Sequence, residues 1–199
     1  MKVIKLIVGL ANPGSKYIST RHNVGSWYVR RLAKNYNSSL KKELSIYGYT
    51  TRLFIADHLI QLFIPDTYMN ICGKSIAAIA NLYQILPEQI LIAHDELNLI
   101  PGRVKFKMGG GHNGHNGLKN IISSFSGINI NVNFTRLRIG IGRPLNYQDV
   151  TKFVLDEPSK AEKKLITDAI DEAIYCTEIW LTNGIMKAMN RLHSYKTSK

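Results

Sequence analysis

The sequence predicts an α/β fold, a single-domain three-layer sandwich in which helices flank a mixed, mostly parallel twisted sheet. Three observations carry this expectation. Short apolar, β-rich runs alternate with stretches whose apolar residues recur at helical spacing. One hairpin stands out, with strands at Tyr47 to Leu53 and Leu59 to Ile64 joined around Asp57-His58. No repeat, low-complexity tract or Pro/Ser-rich linker divides the 199 residues, so 1–199 reads as one domain.

In chain order, Val3 to Val8 is a first buried strand, followed by a loop holding Asn12-Pro13-Gly14. Val24, Trp27, Tyr28 and Leu32 mark a helix over about Asn23 to Ala33. After the hairpin and Pro65-Asp66, Ile76, Ile79, Ala80 and Tyr83 share one face of a helix over Asn70 to Gln84. Ile90 to Ala93 is a buried strand ending at His94-Asp95, and Pro101-Gly102 turns the chain into a strand at Val104 to Met108. A glycine-rich segment, Gly109 to Gly117, precedes a helix near Leu118 to Ser124, and Phe134 to Ile141 is a further strand. Leu165, Ala169, Ala173, Cys176 and Trp180 form the stripe of a long helix from Lys160 to Thr182. In open α/β sheets the ligand crevice lies beyond the carboxyl ends of the strands. Asn12, Asp95 and the glycine-rich segment all follow strands directly.

Composition narrows the function. Lys5 interrupts the apolar run at the start and Asn12-Pro13 ends it, which is too short for a signal peptide or a membrane span. With only Cys72 and Cys176, far apart and in apolar helical patterns, no disulfide framework is expected, and a reducing cytoplasm is. The net charge is +12, and it is uneven. Arg103, Lys105, Lys107, Lys119, Arg136, Arg138 and Arg143 fall in a stretch without an acid, whereas residues 151–199 carry eight basic and seven acidic residues. Such concentration suits a phosphate-facing surface, and equally a solvated basic face.

Several motifs fall short of a known chemistry. Gly9 to Lys16 is close to a phosphate-binding P-loop, but Ser15 and Lys16 stand in the wrong order and Pro13 removes a backbone donor. His112, His115 and Asp95 could supply three metal ligands, yet no zinc-ligand pattern surrounds them, and no metal or other cofactor is expected. Cys72 has no basic neighbour to activate it, and no nucleophile elbow occurs, so water is the expected attacking group. Water needs a base near neutral pKa, an acid to orient it, and donors for the developing oxyanion. His22, Asp95 and the amides Asn12, Asn70 and Asn116 could fill those roles, although each also has an ordinary structural reading as a turn, cap or surface residue. An RNA-binding module without turnover, and a metal- or nucleotide-dependent enzyme, stay open on these residues alone.

The strings IVGLANPG (7–14), TRHNVG (20–25), YMNICG (68–73), AHDEL (93–97), KFKMGGGHNGHNGL (105–118), FTRLRIGIG (134–142) and VTKFVL (150–155) together resemble bacterial-type peptidyl-tRNA hydrolases, in order and over nearly the whole chain. The resemblance implies hydrolysis of the ester between a peptide, or an N-blocked amino acid, and the terminal ribose of tRNA, freeing the tRNA for translation. It implies a metal-free, cytoplasmic monomer whose partner is peptidyl-tRNA, with no membrane and no obligatory protein partner. By the same resemblance His22 is the general base and Asp95 orients it. Asn12, Asn70 and Asn116 position the ester end and the water, with Tyr17, Met69 and His115 in the substrate cleft. Lys107 and Arg138 correspond to a clamp on the tRNA 5′-phosphate, with Lys105 beside them. The chain departs from the family pattern at Asn113, where a small residue usually separates the two histidines, at Asp66, and at Ile100.

Overall fold

The computed structural model describes residues 3–126, 132–144 and 150–197. Among these, seven strands form one sheet: β1 (Leu6–Gly9), β2 (Lys41–Glu43), β3 (Gly48–Ile55), β4 (His58–Pro65), β5 (Ile90–Glu96), β6 (Val104–Met108) and β7 (Thr135–Gly140), in the order β2-β3-β4-β1-β5-β7-β6. The central strands β4, β1, β5 and β7 run parallel, and antiparallel pairs β2–β3, β3–β4 and β6–β7 close the two margins. The sheet is therefore mixed, and parallel where it is most buried.

Period-two alternation sends successive residues of each strand into two separate cores. Leu91 and Ala93 of β5, with Leu137 and Ile139 of β7, pack against α1 (Val24–Asn35) and α5 (Lys160–Asn183). Ile90 and Ile92, with Leu6 and Val8 of β1, pack against α2 (Cys72–Leu82) and α3 (Asn116–Ser126). Helices thus cover both faces, giving the three layers the sequence predicts. Two further helices, α4 (Val150–Leu155) and α6 (Ile185–Ser194), join the α1 side.

The hairpin differs in detail from its sequence reading. Both strands are longer, and Ala56 and Asp57 take the turn, each in the left-handed region (φ 46° and 64°). That conformation matches the twist of a two-residue hairpin loop. Asp66, one departure from the family pattern, pairs with Lys42 at 2.8 Å beside the β2 margin, and Ile100 is exposed; neither lines the main cleft.

Chain order makes β1 the switch point. The chain leaves β1, builds β2 to β4 on one side, then returns through α2 to place β5 on the other. A crevice opens where connections diverge in this way. Asn12 follows β1 and Asp95 is the penultimate residue of β5, so both meet at its mouth.

Candidate active site

A cleft of about 790 Å³ runs along this crevice. His22, in a tight turn (Arg21–Asn23) just before α1, and Asp95, 73 residues later, meet there: His22 Nδ1 lies 2.9 Å from Asp95 Oδ1. Close backbone packing makes this possible, because Gly25 rests directly on the Leu10–Ala93 linkage between β1 and β5. Asp95 is 4% exposed and His22 9%. Burial opposes ionisation of Asp95, but His22 and His115 outweigh it and hold the carboxyl well below the usual range. Burial likewise pushes His22 down, and the Asp95 carboxylate more than restores it, leaving the imidazole raised above its ordinary value.

His115 approaches the same oxygen, with Nε2 2.9 Å from Asp95 Oδ1. Its Nδ1 accepts from the backbone N–H groups of Gly117 (3.1 Å) and Leu118 (3.3 Å) at the start of α3. An imidazole nitrogen that accepts carries no proton, so the proton sits on Nε2 and is donated to Asp95. His115 is therefore a fixed donor, and His22, using Nδ1 on the acid, presents Nε2 to the cleft. His22, Asp95 and His115, rather than the His112 set, form the compact cluster, their ligand atoms lying within 4.8 Å of one another. As a metal site the cluster fits poorly, because His115 would have to move its proton onto a nitrogen already facing two N–H donors. His112 is exposed and its Nδ1 accepts from Gly114.

Asn12 has a defined orientation too. Its Oδ1 accepts from Met69 N–H at 2.9 Å, so the Nδ2 donors are left to the cleft that Asn12 lines. The loop itself is gripped by Asn23, which is 2% exposed: Oδ1 accepts from Asn12 N (2.8 Å) and Nδ2 donates to Asn12 O (2.9 Å). Asn23→Ala leaves both backbone groups without those partners and is expected to cost about 1–3 kcal/mol, read as a lower urea midpoint at unchanged m-value.

Met69, Asn70 and Asn116 line the cleft, with Tyr68 at its rim. Tyr17 stands behind that lining, edge-on to Tyr68 with ring centroids 6.4 Å apart. Lys107, Arg136 and Arg138 line the α3 side; Lys105, facing Arg138 across the β6–β7 ladder, is outside the lining. Arg138 donates through Nε to Glu96 at 2.8 Å. Burial raises the Glu96 carboxyl, but Arg138 outweighs it and keeps the acid ionised below its usual range.

Arg136 corrects the sequence reading. Counted with the phosphate-facing cations, it is 3% exposed, and its guanidinium donates to the carbonyls of Gly110 and Gly111. It pins the glycine-rich segment to β7. Gly110, Asn113 and Gly114 take positive φ there (97°, 47° and 80°). Asparagine is one of the few residues that tolerates this region, which explains how Asn113 keeps the backbone path.

The sequence matches the family model described as peptidyl-tRNA hydrolase over residues 6–199. The chain belongs to the peptidyl-tRNA hydrolase family. It is 55% identical to the peptidyl-tRNA hydrolase of Pectobacterium atrosepticum and 56% identical to that of Yersinia pestis bv. Antiqua, with 100% of both chains covered in each case. The crystal structure of peptidyl-tRNA hydrolase from Acinetobacter baumannii superposes with a TM-score of 0.92 at 43% identity, covering 98% of each chain.

Within this peptidyl-tRNA hydrolase fold, three polar residues around the cleft were not legible as site residues: Asn23, Glu96 and His94. His94 donates from Nδ1 to the Asp95 carbonyl at 2.6 Å and stands edge-on to His115, with ring centroids 5.1 Å apart. Burial, reinforced by His115, pushes its pKa down to about 3, so it packs as a neutral ring. The available signal was a polar triplet, His94-Asp95-Glu96, closing an apolar strand, in which all three residues are buried.

Proposed function

We propose that this chain hydrolyses the ester joining a peptide, or an N-blocked amino acid, to the terminal ribose of tRNA, with His22 as general base and Asp95 as its orienting acid. The observation that carries the reading is the His22–Asp95 contact at 2.9 Å, which leaves Nε2 facing the cleft. His22 Nε2 takes a proton from water as the water oxygen bonds to the ester carbonyl carbon. The imidazolium is stabilised by Asp95, and Asn12 Nδ2 donates to the developing oxyanion. Collapse breaks the bond to the ribose oxygen, which receives the proton from His22. General base catalysis supplies roughly 10²–10⁴-fold and an oxyanion donor about 10²–10³-fold, a scale suited to an ester.

Cys72 is not the nucleophile in this scheme: burial pushes its thiol up to about 12. Asn70 and Asn116 meet the amide of a blocked amino group, and a free ammonium would leave those partners unsatisfied. The catalytic residues all come from one chain, so the proposed working unit is a monomer, placed in the cytoplasm by its substrate. Among the described residues no helix is long and apolar enough to cross a membrane.

On the α3 side, Lys107 and Arg138 are proposed to hold the tRNA 5′-phosphate, with Lys105 adding field from behind. Glu96 takes the Nε edge of Arg138, leaving the remaining guanidinium donors for the phosphate. The deciding experiment is release of acetyl-amino acid from N-acetyl-aminoacyl-tRNA, with and without a chelator. Release that survives chelation is expected; binding without release would refute the enzyme reading. In Lys107→Ala, KM should rise about five- to tenfold and the salt slope flatten by about one, with turnover little changed.

A further inference from the structure

Three elements meet at a guanidinium that the proposed chemistry does not use. Arg21, next to the base, is 8% exposed. Its Nη1 donates to the carbonyls of Phe153 (3.3 Å), Asp156 (3.3 Å) and Glu157 (3.1 Å), and its Nη2 to Glu162 Oε2 (3.0 Å). The guanidinium also lies 4.2 Å from the centroid of the Phe153 ring, and the Arg21 backbone N–H donates to Asp156 O at 3.1 Å. The Phe153 carbonyl lies in the last turn of α4 and those of Asp156 and Glu157 just beyond it, where a helix runs out of intrahelical donors and where a cation complements the dipole. Glu162 is the acid of the capping box that begins α5 with Ser159. One side chain therefore joins the turn carrying His22 to the end of α4 and the start of α5.

What α4 contributes to the cleft is Val150, Thr151, Val154 and Leu155, a wall without charge. It stands on the α1 side of the sheet, whereas Lys107 and Arg138 alternate with the residues of that core and face the α3 side. With the polyanion on the cationic side, the α4 wall is left to the uncharged acyl group. Apolar packing of Val154 and its neighbours holds α4 without fixing its direction, since burial is non-directional. The planar fork on three carbonyls and one carboxylate does fix it.

We infer that Arg21 is a positioning residue, latching the apolar α4 wall to the base-bearing turn so that the wall and His22 hold one geometry around the acyl ester. The inference rests on the hydrolase reading above. It is tested with Arg21→Gln, Glu162→Gln and Leu155→Ala, by hydrogen exchange and by kcat/KM on N-acetyl-leucyl-tRNA and N-acetyl-glycyl-tRNA. Amides of α4 in Arg21→Gln should exchange about tenfold faster or more, with those of α2 unchanged. The leucyl-to-glycyl preference should fall about fivefold, and Leu155→Ala should lower it without adding to the Arg21→Gln effect in the double variant. Arg21→Lys should recover part of the preference, and Glu162→Gln, whose amide oxygen can still accept from Arg21 and Ser159 while the counter-charge is lost, should shift it less in the same direction. This second variant carries the test if Arg21→Gln fails to fold. An unchanged preference, or additive effects, in a chain that hydrolyses both substrates would overturn the latch. Failure of the unaltered chain on both substrates would instead overturn the hydrolase reading.

Discussion

Replacing His22 by Ala should reduce kcat on N-acetyl-aminoacyl-tRNA by about 10³-fold while leaving KM within a few-fold. The base acts only when neutral. In the native chain the Asp95 carboxylate raises the His22 pKa above 6.5, against the effect of burial. Protonation therefore removes the base as pH falls through that raised value, and the acid limb of kcat/KM should lie above pH 6.5. Asp95→Asn makes a sharper test. The amide oxygen introduced by that change can still accept from both His22 Nδ1 and His115 Nε2, because the two imidazoles share one oxygen of the acid. The geometry survives and only the charge is lost. Without it, burial alone acts on His22, so the acid limb should move to lower pH even as kcat drops about 10²–10⁴-fold for want of a counter-charge to the imidazolium. A slower enzyme that tolerates more acid is the expected signature. An acid limb that stays put in Asp95→Asn would show that His22 is not the titrating base.

The same pair shows how far sequence reasoning reached. The layers were legible, because short apolar runs such as β1, β4 and the start of β5, set between segments of helical spacing, are satisfied by few arrangements besides a covered sheet. Strand β2 was not: Lys41–Glu43 is short, charged and exposed, and it becomes a strand only because β3 offers it a ladder. Helix α6 was overlooked despite a readable signal, since Ile185, Ala188 and Leu192 share a face just after Gly184, which takes φ 88°. Helix α4 has six residues, too few for periodicity to speak.

The site divides in the same way. His22 and Asp95 could be proposed from residue type and resemblance, but no spacing rule connects residues 73 positions apart; the switch-point topology does. Charge counting marked the β6–β7 face and could not tell its members apart. Arg136 and Arg138 alternate onto the same face, yet one is buried beneath the glycine segment and the other is shared with Glu96. Asn23 was invisible for a related reason. Its role is to hold another residue's backbone, which leaves no trace in composition or spacing.

Gly25→Ala should be the most damaging change outside the polar cluster. A Cβ at Gly25 would fall well inside contact with the Ala93 carbonyl and 2.8 Å from Leu10 N, the two groups whose 3.0 Å hydrogen bond ties the end of β1 to β5. Both are backbone atoms in a fully packed layer, so no side chain can swing aside, and α1 must lift. Overpacking of this kind costs about 1–3 kcal/mol, occasionally more. His22 lies three residues before Gly25 and Asp95 two residues after Ala93, so the displacement opens the pair the chemistry needs. A misplacement of about 1 Å can cost 10²-fold, and turnover should fall by about that factor even in the fraction that remains folded. Gly111 provides the contrast in stability: a Cβ there meets no heavy atom within 4 Å, and Gly111→Ala should stay within about 0.5 kcal/mol of the native chain. Urea unfolding and single-turnover rates on the same preparations separate the two effects. A Gly25→Ala chain with native stability and native turnover would mean that the base is held in place by something other than the contact of α1 with the β1–β5 crevice.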